Sequence, residues 1–113
     1  EHKTTYLIVG DHGQLDVRYK INLNALFREN GLIYGEEDPV YGQPSKSWRA
    51  YVQSAGGAAY VHFRQDDQEA REIAMRLIHE FAEDEANGIE AIYDREKLKA
   101  LHVEDRFDFM LEA

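Results

Sequence analysis

Asp11 and His12 stand side by side between Gly10 and Gly13, directly after the apolar run Tyr6-Leu7-Ile8-Val9. Glycines on both sides free the backbone to turn, so a carboxylate oxygen and an imidazole nitrogen can converge on one point. That donor pair suits zinc or a similar divalent ion. The same residue types also build ordinary turns, so a tight turn without chemistry is the other reading of this stretch. The remaining histidines are weaker candidates. His62 falls in a strand-like segment with no second donor at a spacing that would join it, and it reads as a half-buried strand residue. His79 lies among the polar residues of a helix and reads as solvated.

A site needs elements to hold it. The run at 6–9 shows no polar alternation, which predicts a strand buried on both faces, as strands of parallel sheets are. Asp11 and His12 would then lie beyond the carboxyl end of a central strand, where ligands bind in open α/β sheets. Downstream, Asn22 is placed to cap a helix over 23–30, with Leu23, Leu26 and Phe27 on one face and Gly31 ending it. A short extended piece, 32–34, leads into a loop at 35–47 that contains both prolines, Pro39 and Pro44. Strand composition at 48–52 and 58–63, around Ser54-Ala55-Gly56-Gly57, predicts a β-hairpin.

Asp66 and Glu69 resemble a capping box opening a long helix. Its Ala70, Ile73, Ala74, Leu77, Ile78 and Phe81 share one face, and Asn87-Gly88 would end it. A strand at 89–93, a helix over 95–101 capped by Asp94 with Leu98 and Leu101 inward, and a strand at 106–111 complete the chain. This order predicts a single α/β layered domain over 1–113 with a mixed, partly antiparallel sheet.

Composition sets outer limits. The 113 residues are 43% hydrophobic and 12% aromatic, an ordinary globular composition. A net charge of -9 argues against nucleic-acid polymers or anionic membranes as partners of the protein's own surface. A phosphate-bearing ligand would need bound metal ions to supply positive charge. The chain has no cysteine, which excludes disulfides and thiolate metal sites. No run of 18 apolar residues could span a membrane, and no residue pattern points to a compartment. A central strand at 6–9 needs neighbours on both sides, so this stretch of sequence is expected to be an excerpt of a larger domain. Bare sheet edges would then offer a route to self-association.

The stretches Leu7-Ile8-Val9-Gly10-Asp11-His12-Gly13-Gln14, Ile21-Asn22-Leu23-Asn24-Ala25-Leu26 and Gly31-Leu32-Ile33 resemble the carboxyl-terminal part of the type I phosphodiesterase/nucleotide pyrophosphatase family, within the alkaline phosphatase superfamily. The likeness extends more loosely through the Gly-Gly hairpin, the helix at 67–87, Ile92-Tyr93-Asp94-Arg95 and Phe107-Asp108-Phe109. The resemblance implies a fragment of an alkaline phosphatase-like α/β fold. The intact protein would carry two divalent metals, usually zinc with manganese possible, and cleave phosphodiester or nucleotide pyrophosphate bonds through a Thr or Ser nucleophile. Asp11 and His12 would be ligands of one metal. A metal so placed lowers the pKa of the hydroxyl it binds, and a pair of metals stabilises the charge of an in-line displacement.

The family's nucleophile, its partner Asp, an Asp-x-x-x-His pair and a later His-Gly have no counterpart in these residues, and His102, followed by Val103, does not fill the last role. The chain alone is therefore expected to hold no catalytic residue and to be inert. Phosphomonoester, phosphonate, sulfate and phosphosugar-isomerising branches share the Asp-His-Gly turn, and Gln14 with its flanking pattern favours the phosphodiesterase branch. A different class stands beside this one: a stand-alone α/β binding or regulatory module in which Asp11-His12-Gly13 is only a turn.

Overall fold

The computed structural model describes residues 2–34, 47–103 and 106–113. The predicted proline-containing loop lies almost wholly outside them. Three helices and four strands follow in the order α1 (Leu23–Glu29), β1 (Ala50–Ala55), β2 (Ala58–Phe63), α2 (Gln68–Ala82), β3 (Ala91–Asp94), α3 (Arg95–Ala100) and β4 (Phe109–Glu112). The strands form one sheet in the order β1-β2-β4-β3. The α/β class is as expected, while every described pairing is antiparallel rather than of mixed direction.

Alternation along the paired strands sorts the sheet into two faces. Ala50, Val52, Ala59, Val61, Phe63, Ile92, Phe109 and Leu111 belong to the main core. The same core takes Leu23 and Phe27 from α1 and Ala70, Ala74, Leu77 and Ile78 from α2, the stripe anticipated from their spacing. Small Ala70 and Ala74 let α2 lie close to the sheet, and both are fully buried. The hairpin closes on Gly56 and Gly57, and Gly56 takes φ +77, a conformation that costs little without a Cβ.

Asn22 caps α1 by accepting from the Ala25 N–H, and Gly31 ends the helix at φ +74. α1 then does something a helix seldom does for a sheet. The Asn24 amide donates Nδ2–H to the Val52 carbonyl at 2.8 Å and accepts the Val52 N–H at 2.8 Å. One side chain thus stands in for a neighbouring strand at the outer edge of β1. The Leu32 carbonyl accepts from Arg49 and Ala50 on that same edge, and Ile33 bridges to Trp48.

Several boundaries differ from expectation. The N-cap of α2 is Asp67, not Asp66; Asp66 adopts φ 63 and turns the chain out of β2, a left-handed conformation that Asp tolerates. Glu69 does not reach back to the cap; its carboxylate and that of Asp67 both accept from Arg49. The Arg49 guanidinium holds the Asp67 carboxyl down to about 2. α2 stops at Ala82, and Asn87-Gly88 ends a separate 3-10 turn, Glu85–Asn87. In α3, Leu98 is buried, but Leu101 is 54% exposed because the helix ends at Ala100 and His102 takes φ 57. β4 begins only at Phe109, since Asp108 is drawn to Arg71 of α2 at 2.6 Å and to Arg95 of α3 at 3.0 Å. The chain bends there, and the Phe107 ring meets Tyr60 and His62 on the sheet face opposite the core.

The largest correction concerns the run at 6–9. It forms no strand, and Tyr6, Leu7, Ile8 and Val9 are 85%, 85%, 94% and 76% exposed. A strand exists only through its pairing, and the sheet's strands pair among themselves, with Asn24 and Leu32 on the outside of β1. Residues 2–20 are exposed throughout. The molecule consequently spans 69 × 33 × 31 Å with a radius of gyration of 17.9 Å. A compact chain of this length would have about 13 Å.

Replacing Asn24 with Ala removes both bonds to Val52 and leaves two strand-edge groups without their partner. We expect a loss of about 1–2 kcal/mol, read as a lower urea midpoint at unchanged m-value.

Candidate metal-ligand pair

Asp11 and His12 are oriented by bonds to their own neighbours. The His12 backbone N–H donates to Asp11 Oδ1 at 3.0 Å. His12 Nδ1 lies 2.7 Å from the Gly13 carbonyl oxygen. A carbonyl can only accept, so Nδ1 carries the hydrogen in this contact and Nε2 is left to face Asp11 Oδ2, at 3.3 Å. Both side chains are largely exposed, so either water or a metal ion can stand between these two acceptors. Two ligands held at about 2.1 Å by one tetrahedral ion are about 3.4 Å apart, so the spacing fits shared coordination. An imidazole that donates its other ring N–H to a backbone carbonyl is the usual posture of a metal-bound histidine.

The chemistry of the pair fits a divalent metal, and its number does not complete a shell. Among the described residues no group of three or more His, Asp or Glu is placed to hold a metal ion. Catalytic zinc sites take three protein ligands as a rule. The pair is also not at the end of a rigid strand: His12 and Asp11 are 68% and 87% exposed on the unpaired arm. Neither of two surface depressions, one lined by Arg64, Asp66, Asp67, Gln68 and Arg71 and one by Glu85, Gly88, Ile89, Glu90 and Ala113, includes them.

His62 is half-buried in β2, as its position in the strand suggested. It lies directly opposite Tyr51, and the rings stack at 4.7 Å and 13°. Its Nε2 meets Gln53 Oε1 at 2.8 Å. Phe107 packs edge-on at 5.6 Å and itself stacks on Tyr60 at 4.0 Å, while Trp48 meets Tyr51 at 4.6 Å. This aromatic file, which touches the core at Trp48 and Tyr51, was not anticipated as a unit. Its signal was present in the alternation of Tyr60 and His62 with core residues, but Phe107 joins it only through the bend at Asp108. His79 and His102 are exposed, and no described cluster draws them in.

A family model described as Type I phosphodiesterase / nucleotide pyrophosphatase matches residues 1–111. No curated protein and no solved structure matches the chain.

Burial, and then the nearby Arg106 guanidinium, lower the pKa of His62 below its ordinary 6.5. Between those two values the unfolded chain binds a proton that the folded chain refuses, so stability falls as pH drops below about 6.5. The other four histidines are exposed. We therefore expect the thermal midpoint to decline from pH 7.5 to 5.5, and H62Q to show a shallower decline over that interval.

Proposed function

The chain belongs to the type I phosphodiesterase/nucleotide pyrophosphatase family, and from that premise we propose that Asp11 and His12 are two ligands of one metal in a divalent-metal-dependent hydrolase of phosphodiester or nucleotide pyrophosphate bonds. The observation that carries the reading is that His12 Nε2 and Asp11 Oδ2 lie 3.3 Å apart while Nδ1 is engaged by the Gly13 carbonyl. That arrangement presents one nitrogen and one oxygen to a single ion. Zinc, or manganese in its place, would activate the attacking hydroxyl and offset negative charge on the phosphoryl oxygens.

The roles of this chain's own residues are confined to binding. Asp11 brings a negative charge that partly neutralises the ion, and the His12 N–H keeps its second oxygen occupied and its orientation set. His12 brings a neutral nitrogen whose tautomer is fixed from behind by Gly13. Nucleophile, second metal and remaining ligands come from residues outside this sequence. The substrate class is a small phosphate ester or nucleotide. A polymer of nucleic acid is disfavoured by the net charge of -9.

In the intact hydrolase, D11N and H12A should each lower hydrolysis of bis-p-nitrophenyl phosphate by at least about a hundredfold and reduce bound metal measured by plasma emission. Unchanged metal content and turnover in both variants would refute the assignment, as a binding module with a simple turn would behave that way. The 113-residue chain alone should show no metal-dependent turnover of the same ester.

A further inference from the structure

We propose that His62 is a pH switch: its protonation detaches Arg106 and Phe107 from the sheet face and leaves the β1–β2 hairpin in place. The imidazole is half-buried between two sets of partners. On one side stand Tyr51 and Gln53 of β1. On the other is Phe107, ahead of β4, with the Arg106 guanidinium carbon 5.2 Å from the centre of its ring. An amide oxygen only accepts, so the 2.8 Å contact to Gln53 Oε1 places the hydrogen of the neutral imidazole on Nε2. The added proton therefore goes to Nδ1.

The two sides answer that proton differently. Towards β1 the charged ring keeps what it had: its Nε2–H bond to Gln53 becomes charge-assisted, and the Tyr51 ring, stacked at 4.7 Å, offers a cation its π-face. The Tyr51 phenol stays uncharged, since burial raises its pKa. Towards Phe107 the new charge arrives beside an existing one. Burial, and then the Arg106 charge, already oppose protonation of the ring. Once protonated, His62 and Arg106 are like charges on a single phenyl ring, at 5.6 and 5.2 Å from its centre. Asp108, the next residue, is held by Arg71 at 2.6 Å and Arg95 at 3.0 Å and does not turn to neutralise His62. Those ion pairs also confine the opening, because β4 stays in register with Val61 from Phe109 onward. What is lost is the Phe107 stack on Tyr60 at 4.0 Å, and with it the cover over the Tyr60 ring.

Proton NMR of the chain from pH 7.5 to 5.0, following the His62 ring shifts and the Overhauser effects between rings, tests this directly. The expected result is that the Phe107–Tyr60 effects fade with the midpoint of the His62 titration, while the His62–Tyr51 and cross-strand hairpin effects persist. In H62Q the Phe107–Tyr60 contact should hold to pH 5.0. R106Q, a change at an exposed position, should raise the His62 midpoint and keep Phe107 on Tyr60 after His62 is protonated. A contact that survives His62 protonation in the unaltered chain, or that fades equally in H62Q, overturns the switch. So does loss of the hairpin effects at the same midpoint, which means that the whole sheet unfolds, or a His62 that does not titrate in this range. An R106Q chain that opens at the unaltered midpoint removes Arg106 as the cause and overturns the mechanism.

Discussion

The pairing of β4 with both of its neighbours holds this structure together. β4 is the last strand in the chain, yet it lies between β2 and β3, and its Phe109 and Leu111 place the core face of the sheet in register with Val61, Ala59 and Ile92. Without it, β3 and α3 would have no sheet to join, and the hairpin would be a two-stranded ribbon, marginal in water on its own. The tip is fastened as well: the Ala113 N–H donates to the Gly57 carbonyl at 2.9 Å, tying the end of β4 to the hairpin turn. Much of the fold thus waits on contacts far apart in sequence, whose loop-closure entropy must be met before the core residues can meet.

Local signals in the sequence located nearly every element that is stabilised locally. Asn22, Gly31, Asp94 and the Gly-Gly turn each act through a cap or a backbone conformation that one residue type favours, and each appears where it was expected. The stripe from Ala70 to Ile78 was legible because helical periodicity and burial point the same way. Errors arose where a distant partner decides. Asp67 takes the cap in place of its neighbour, where Arg49 from the hairpin side engages it, and Phe107 leaves the strand direction because Asp108 answers two arginines. Neither partner can be inferred from spacing.

The run at 6–9 failed for the same reason on a larger scale. Its composition states a capacity to pair, and composition cannot supply the strand to pair with. Asp11 and His12 were singled out by residue type, and both lie exposed on the unpaired arm. The contact from His12 Nδ1 to the Gly13 carbonyl was not legible. Gly13 was read only as a hinge, whereas its carbonyl selects which imidazole nitrogen is available.

Every bond that orients Asp11 and His12 joins residues adjacent in sequence. Closing such a ring fixes only a few dihedral angles and needs no long loop to be drawn together. The pair can therefore form in the denatured chain almost as readily as in the folded one. A ligand with equal affinity for both states shifts no folding equilibrium, however tightly it binds. An ion held by these two side chains alone would therefore leave the folding equilibrium of the sheet and helices unshifted.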